Sequence, residues 1–316
     1  MENWFANYAF IKRANLVNKN SKRLSIYNKQ TYLNYMKLCF TSALFCEKEK
    51  LDQLDKPGHF ERNEKYDYFL FTNLDPNLFD TSWDVINIAE NENIKNINCQ
   101  IKKSRYTKFL SWDYFESINS EYDVVFYCDA WIIPNNKKNW EAFAKKISEN
   151  NKFPFAQAEH NKEVCRTGGI NAEFERILIS DRDTSQSIEY TKQFLHKYDN
   201  SVHFDYPQYF ENTCFGYDFN SKIVREITKE LWNLYTTNEI SYRDQPLWNF
   251  LLLKHNVVPV IQNDLKDNSI VLIKEYKKIK KTISEVEKFK NENCWFHRLY
   301  ENEGTMRDNY TDLKFT

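Results

Sequence analysis

The chain has 316 residues, with 44 Lys and Arg against 45 Asp and Glu, so it is long enough for one large domain and carries no basic field that would collect nucleic acid. A hydrophobic share of 41% excludes a disordered protein, and 5 Gly with 7 Pro are few for an all-β fold that must turn often. Seven scattered cysteines lack any C-x-x-C pair, no secretory signal is evident, and no apolar run approaches membrane-spanning length. The expectation is a soluble cytoplasmic protein with reduced thiols, in a host cytoplasm if a virus encodes it.

Residues 1 to about 35 are polar and aromatic and read as a leading arm. Lys37 to Phe45 predicts a first buried strand, Tyr66 to Asn73 a second stopped by Asp75-Pro76, and Trp83 to Ile88 a short third. From Ile101 to about Ser117 the residues Tyr106, Phe109, Leu110 and Tyr114 recur at helical spacing, with Lys102, Lys103, Arg105 and Lys108 near the start.

The run Val124-Val125-Phe126-Tyr127-Cys128 follows, apolar throughout, as a strand covered on both faces must be. It ends in Asp129. Beyond the carboxyl end of a strand in an open α/β sheet lies the crevice where ligands bind, which places Asp129 at a rim instead of in the core.

Trp140 to Ser148 reads as a helix, and Phe153 to Ala158 as a strand leading to Glu159 and His160. The polar stretch from His160 to Asn200 has its most flexible point at Arg166-Thr167-Gly168-Gly169 and a helix from Ser187 to Tyr198, which fits a substrate-covering excursion. Tyr209 to Tyr217 predicts a strand, and Ser221 to Tyr235 an amphipathic helix capped by Asn220 or Ser221. Asp244 stands where the cap of a further helix belongs, with Gln245 and Pro246 after it. Val257 to Ile261 is a late strand, Glu275 to Lys290 a basic helix, and His297 lies close to the end. Alternating strands and helices predict an α/β fold, a mostly parallel central sheet with helices on both faces. Its parts are an arm (1–35), a main domain (36–265) and a helical tail (266–316) packed on that domain.

Asp129, Asp244-Gln245 and His297 would meet at one rim. Two carboxylates and an imidazole suit a hard divalent cation such as Mg²⁺ or Mn²⁺. Each has a plainer role: Asp244 as a helix cap, His297 as a packed histidine beside Trp295 and Phe296, the lysines and Arg105 as a solvated face.

The strand Phe69 to Asn73, the helix Arg105-Tyr106-Thr107-Lys108, the strand ending in Asp129 and the helix start Arg243-Asp244-Gln245 occur in an order that resembles nucleotide-sugar glycosyltransferases of the Rossmann-like GT-A fold. The likeness is closest to the glycosyltransferase-like domains of plant seed-mucilage and pollen-tube proteins. Asp244-Gln245 with Asn249 is similar to glycogenin and the bacterial lipopolysaccharide galactosyltransferases. The resemblance implies transfer of a sugar from a nucleotide-diphosphate donor to a hydroxyl of a glycan, glycoprotein or lipid-linked acceptor. It implies donor contacts at Thr41, Asn73, Arg105, Lys108, Asp129, Ala130 and Trp131, an acceptor side at Glu159, His160 and Arg166, and chemistry at Asp244 and Gln245. A manganese or magnesium ion would sit on Asp129 and His297. One departure stands out, because the second acid of an Asp-x-Asp metal motif is replaced by Trp131. The alternative is a sugar- or nucleotide-binding module that keeps the fold without turnover.

Overall fold

The computed structural model describes residues 36–54, 57–265 and 294–298. The leading arm and the basic helix expected over Glu275 to Lys290 lie outside them. In chain order the elements are β1 (Leu38–Leu44), β2 (Asp67–Thr72), β3 (Asp84–Asn87), α1 (Gln100–Ser117), β4 (Val124–Cys128), β5 (Ile132–Pro134), α2 (Trp140–Ser148) and β6 (Phe155–Glu159). There follow α3 (Glu163–Ile179), α4 (Ser185–Tyr198), β7 (Phe210–Asp218), α5 (Lys222–Thr237), α6 (Asp244–Lys254), β8 (Val260–Ile261) and β9 (Phe296–Arg298).

Seven strands make one sheet in the order β3-β2-β1-β4-β7-β6-β8. β1 pairs in parallel with β2 and β4, β2 with β3, and β6 with β8, whereas β7 runs antiparallel to both β4 and β6. The expected α/β architecture with a mostly parallel sheet is therefore present, with β7 as the reversed strand. Because β7 reverses the direction between them, β4 and β6 point the same way. Asp129 and Glu159-His160 consequently leave the sheet at the same edge.

Side chains alternate across the strands and feed two cores. On one face Cys39, Val125, Tyr127, Phe155, Phe215 and Tyr217 meet α1 and α3 to α6. On the other, Phe40 is stacked on Tyr68 and Phe126 at 5.0 and 5.4 Å between ring centroids and meets the edge of Trp140 from α2 at 4.8 Å. Such ring pairs each add about 0.5–1.5 kcal/mol beyond the area they bury. Gly216 stands opposite Phe126 in the β4–β7 register, and a Cβ there would come within 2.6 Å of that ring. The glycine lets the ring lie flat on the sheet.

Two expectations are corrected. The segment through Arg166-Thr167-Gly168-Gly169 is not a loose excursion but lies within α3, which buries Cys165, Ile170, Phe174 and Ile177. Helical geometry breaks only at Gly169, with φ of 60°. Of the tail expected as helical over 266–316, only residues 294–298 are described, and there β9 pairs antiparallel with β5 and sets His297 opposite Ile133. Asp244 is the first helical residue of α6 instead of its cap, and the cap position, Arg243, makes no side-chain capping bond. Of the two caps expected for α5, Asn220 or Ser221, it is Ser221 that accepts from the Val224 amide.

Candidate functional site

α1 runs back along the sheet before β4, so its first turns lie at the edge where β4 ends. Arg105 and Lys108, three residues apart, share one helical face. Lys108 Nζ lies 3.1 Å from Asp244 Oδ2 and 3.6 Å from Asp129 Oδ1. Arg105 Nε lies 3.0 Å from Asp244 Oδ1, an ion pair off the hydrogen-bonding line. The Asp129 and Asp244 carboxylates thus face one ammonium group from two distant parts of the chain.

The site is mostly dry. The side chains of Lys108 and Asp244 are 4% and 6% exposed, Arg105 is 15% exposed, and only Asp129, at 31%, has substantial water contact. The Tyr127 hydroxyl donates to Asp129 Oδ1 at 3.0 Å. Burial, reinforced by the Asp129 charge, pushes the Tyr127 phenol up, so it remains a neutral donor. Burial by itself would raise the Asp244 carboxyl. The charges of Arg105, Lys108 and Arg243 and a bond from Asn212 outweigh it and hold Asp244 well below the usual carboxylate range.

Beneath Asp244 runs a directed chain of amides. Trp248 Nε1 donates to Gln157 Oε1 at 2.8 Å, Gln157 Nε2 donates to Asn212 Oδ1 at 2.8 Å, and Asn212 Nδ2 donates to Asp244 Oδ2 at 3.0 Å. These residues join α6, β6 and β7 and turn the positive end of each dipole toward the carboxylate. Asn249 is a backbone clamp: its amide accepts from Phe210 N–H at 2.8 Å and donates to Phe210 O at 3.1 Å, pinning the start of β7 to α6.

The other expected residues fall in different places. Thr41 is fully buried within β1 and donates to the Phe126 carbonyl, so it has no surface for a ligand. Asn73 at the end of β2 exchanges two hydrogen bonds with the Cys46 backbone. Ala130 is buried, and Trp131 packs partly buried against the second core. Gln245 follows Asp244 with a buried Nε2 that makes no hydrogen bond among the described residues. Glu159 is held by the Asn263 side chain, and Arg166 donates to the His160 carbonyl at 2.7 Å. In the strand order Asn73 and Glu159-His160 lie on opposite sides of Asp129, each two strands from β4, or roughly 10 Å. A hollow of about 430 Å³ opens at the carboxyl end of β3, lined by Asn87 to Asn91 and Tyr114, and another of about 510 Å³ lies against α4 around Ser187 and Tyr190. Neither is lined by Asp129 or Asp244.

A second buried group lies beyond β6. His160, Cys165 and Glu173 bring three donor atoms within 4.8 Å of one another. Their donor atoms are taken up by protein contacts. Arg176 holds Glu173 with two bonds of 2.7 and 2.6 Å, and the Cys165 thiol donates to it at 3.4 Å. Nδ1 of His160 accepts the Lys162 amide at 3.1 Å, which puts the neutral ring's proton on Nε2, the atom facing Glu173. Burial and then the Glu173 charge push the Cys165 thiol up to about 12, so it stays a protonated donor to Glu173.

The cation expected on Asp129 and His297 would have Asp129 as its ligand among the described side chains. Lys108 and Tyr127 both engage Asp129 Oδ1, and Asp244 is committed to Arg105, Lys108 and Asn212. The His297 side chain lies outside the described residues. Sequence reading missed Tyr127, Gln157, Asn212, Glu173 and Arg176. Only Gln157 carried a visible signal, a lone amide in the apolar strand Phe155-Ala156-Gln157-Ala158.

Comparison of the whole chain finds no matching family model and no similar curated protein. No helix among the described residues is long and apolar enough to cross a membrane.

Proposed function

We propose that this protein is a nucleotide-sugar-dependent glycosyltransferase of the GT-A type, with its donor diphosphate at the rim formed by Asp129, Lys108, Arg105 and the start of α6. The observation that carries the reading is the shared contact of Lys108 with Asp129 and Asp244. It gathers the ordered motifs of the resemblance at the carboxyl end of β4, where ligands of α/β sheets bind. Cations at that point stabilise the charge on a departing diphosphate while the sugar passes through an oxocarbenium-like state. The amino end of α6 adds its own partial positive charge.

Asp244 serves this chemistry by anchoring cations. A carboxylate buried, triply paired and held below its ordinary range is a poor proton acceptor. Of the two roles open to it, orienting the donor side is therefore favoured over taking the acceptor's proton, and the leaving phosphate is the better base. The acceptor, a glycan, glycoprotein or lipid-linked hydroxyl, would approach from the side of Glu159, His160 and Arg166.

The same burial of Asp244 also supports the second reading, a binding module without turnover. Thermal unfolding with a panel of nucleoside diphosphates and nucleotide sugars, followed by a radiolabelled-sugar transfer assay, separates the two. Stabilisation by one nucleotide with release of its sugar is the expected result. Binding without release would favour the module, and no response to any nucleotide would end the transferase reading.

A further inference from the structure

The resemblance implies a divalent cation at Asp129, but the donor set leads elsewhere. Lys108 Nζ lies between the carboxylates of Asp244 and Asp129, 3.1 Å from the first and 3.6 Å from the second. Two aromatic rings flank it, with the Tyr127 centroid at 5.2 Å and that of Phe109 at 5.8 Å. Its side chain is 4% exposed, so this is a built position and not a surface lysine that happens to reach an acid. Position 131, where a second acid would complete a metal motif, holds Trp131, packed against the core behind the sheet.

We propose that the Lys108 ammonium is the resident counter-cation of this rim, so that a donor diphosphate is held there without a divalent metal. The inference deepens the transferase reading and rests on it. Arg105 and Lys108 both pair with Asp244, Lys108 also reaches toward Asp129, and the charge of Arg243 adds to theirs at Asp244, so positive charge gathers where an incoming anion would sit. A doubly charged ion on Asp129 would be repelled by the Lys108 ammonium, whose Nζ already lies 3.6 Å from Oδ1 and is itself shielded from water. Lysine meets phosphate as a compact point charge, much as a metal does, and helix α1 fixes its place.

The inference requires that Lys108 act on the ligand and not merely on the fold. Free Mn²⁺ is followed by electron paramagnetic resonance as wild-type protein is added, and UDP and GDP are titrated by calorimetry with EDTA or with Mn²⁺. Wild type should leave the Mn²⁺ spectrum unchanged and bind its nucleoside diphosphate equally well in both conditions. Lys108→Met should weaken that binding roughly tenfold to hundredfold, with Lys108→Arg restoring part of it. Should the Met variant fail to fold, Asp129→Asn, at the most exposed residue of the site, decides the matter. Mn²⁺ bound by wild type and released by that change would overturn the inference, as would nucleotide binding that vanishes in EDTA, and both would leave the transferase reading standing. A wild-type protein that binds no nucleoside diphosphate in either condition would overturn that reading and this inference with it.

Discussion

Asp244 Oδ2 and Lys108 Nζ stand 3.1 Å apart with side-chain exposures of 6% and 4%, so each is the other's substitute for lost water. Removing one partner of such a pair strands the other. Asp244→Asn is expected to cost about 3–5 kcal/mol of folding stability, read as the shift in urea midpoint at constant slope. Because both residues belong to one network, Lys108→Met with Asp244→Asn should cost less than the sum of the two, by about 0.5–3 kcal/mol. Strict additivity would mean that the contact carries no energy of its own.

Gly169 is the second point where the fold depends on one residue. Its φ of 60° lets α3 break, and a Cβ there would lie 2.5 Å from the carbonyl oxygens of both Phe204 and Tyr206. The Phe204 carbonyl in turn accepts the Ile170 amide at 2.8 Å and restarts the helix. Gly169→Ala should therefore destabilise by about 2 kcal/mol or more. Thermal unfolding should fall by roughly 4–8 °C. An unchanged melting temperature would show that the backbone relaxes at no cost.

The elements that sequence reading placed well are those whose apolar spacing is uninterrupted, such as β4 and α5. Asp129 was legible because it ends such a run, and Arg105 with Lys108 because three residues apart on a helix is one face. What was illegible depends on long-range pairing. No local signal tells that β7 runs against its neighbours, or that β9 returns from the far end of the chain to lie against β5. The glycine pair at Gly168-Gly169 hid α3, although Ile170, Phe174 and Ile177 carry its period. Asn212 and Tyr127 read as ordinary strand residues, and only the fold aims them at Asp244 and Asp129.

Glu173 is fully buried and bonded twice to Arg176. Glu173→Gln removes the charge but keeps the volume, which isolates the ion pair from packing. The expected loss is about 3–5 kcal/mol, against about 1 kcal/mol for Cys165→Ala, whose thiol is a weak donor. Because Arg166 is tied to the His160 carbonyl within the same group, the Gln variant should also shift acceptor KM more than kcat. A loss of stability with unchanged KM would confine Glu173 to the fold.

Acid should unfold the protein in two separable steps. His160 is buried, and burial lowers its pKa despite the opposing charges of Glu173 and Glu211. The folded state thus resists protonation while the unfolded chain takes a proton near pH 6.5. Stability is full above that pH and declines as pH falls through it. Asp244 acts lower down. Its folded pKa lies below the unfolded value of about 3.9, so its contribution is complete above about pH 4 and is lost only as the pH drops toward its depressed folded value. Urea unfolding measured from about pH 8 to pH 3 should show both limbs. His160→Gln should flatten the upper limb and leave the lower one, and Asp244→Asn the reverse. If His160→Gln keeps the full decline between about pH 7 and pH 5, another group titrates there and the buried neutral imidazole is not its source.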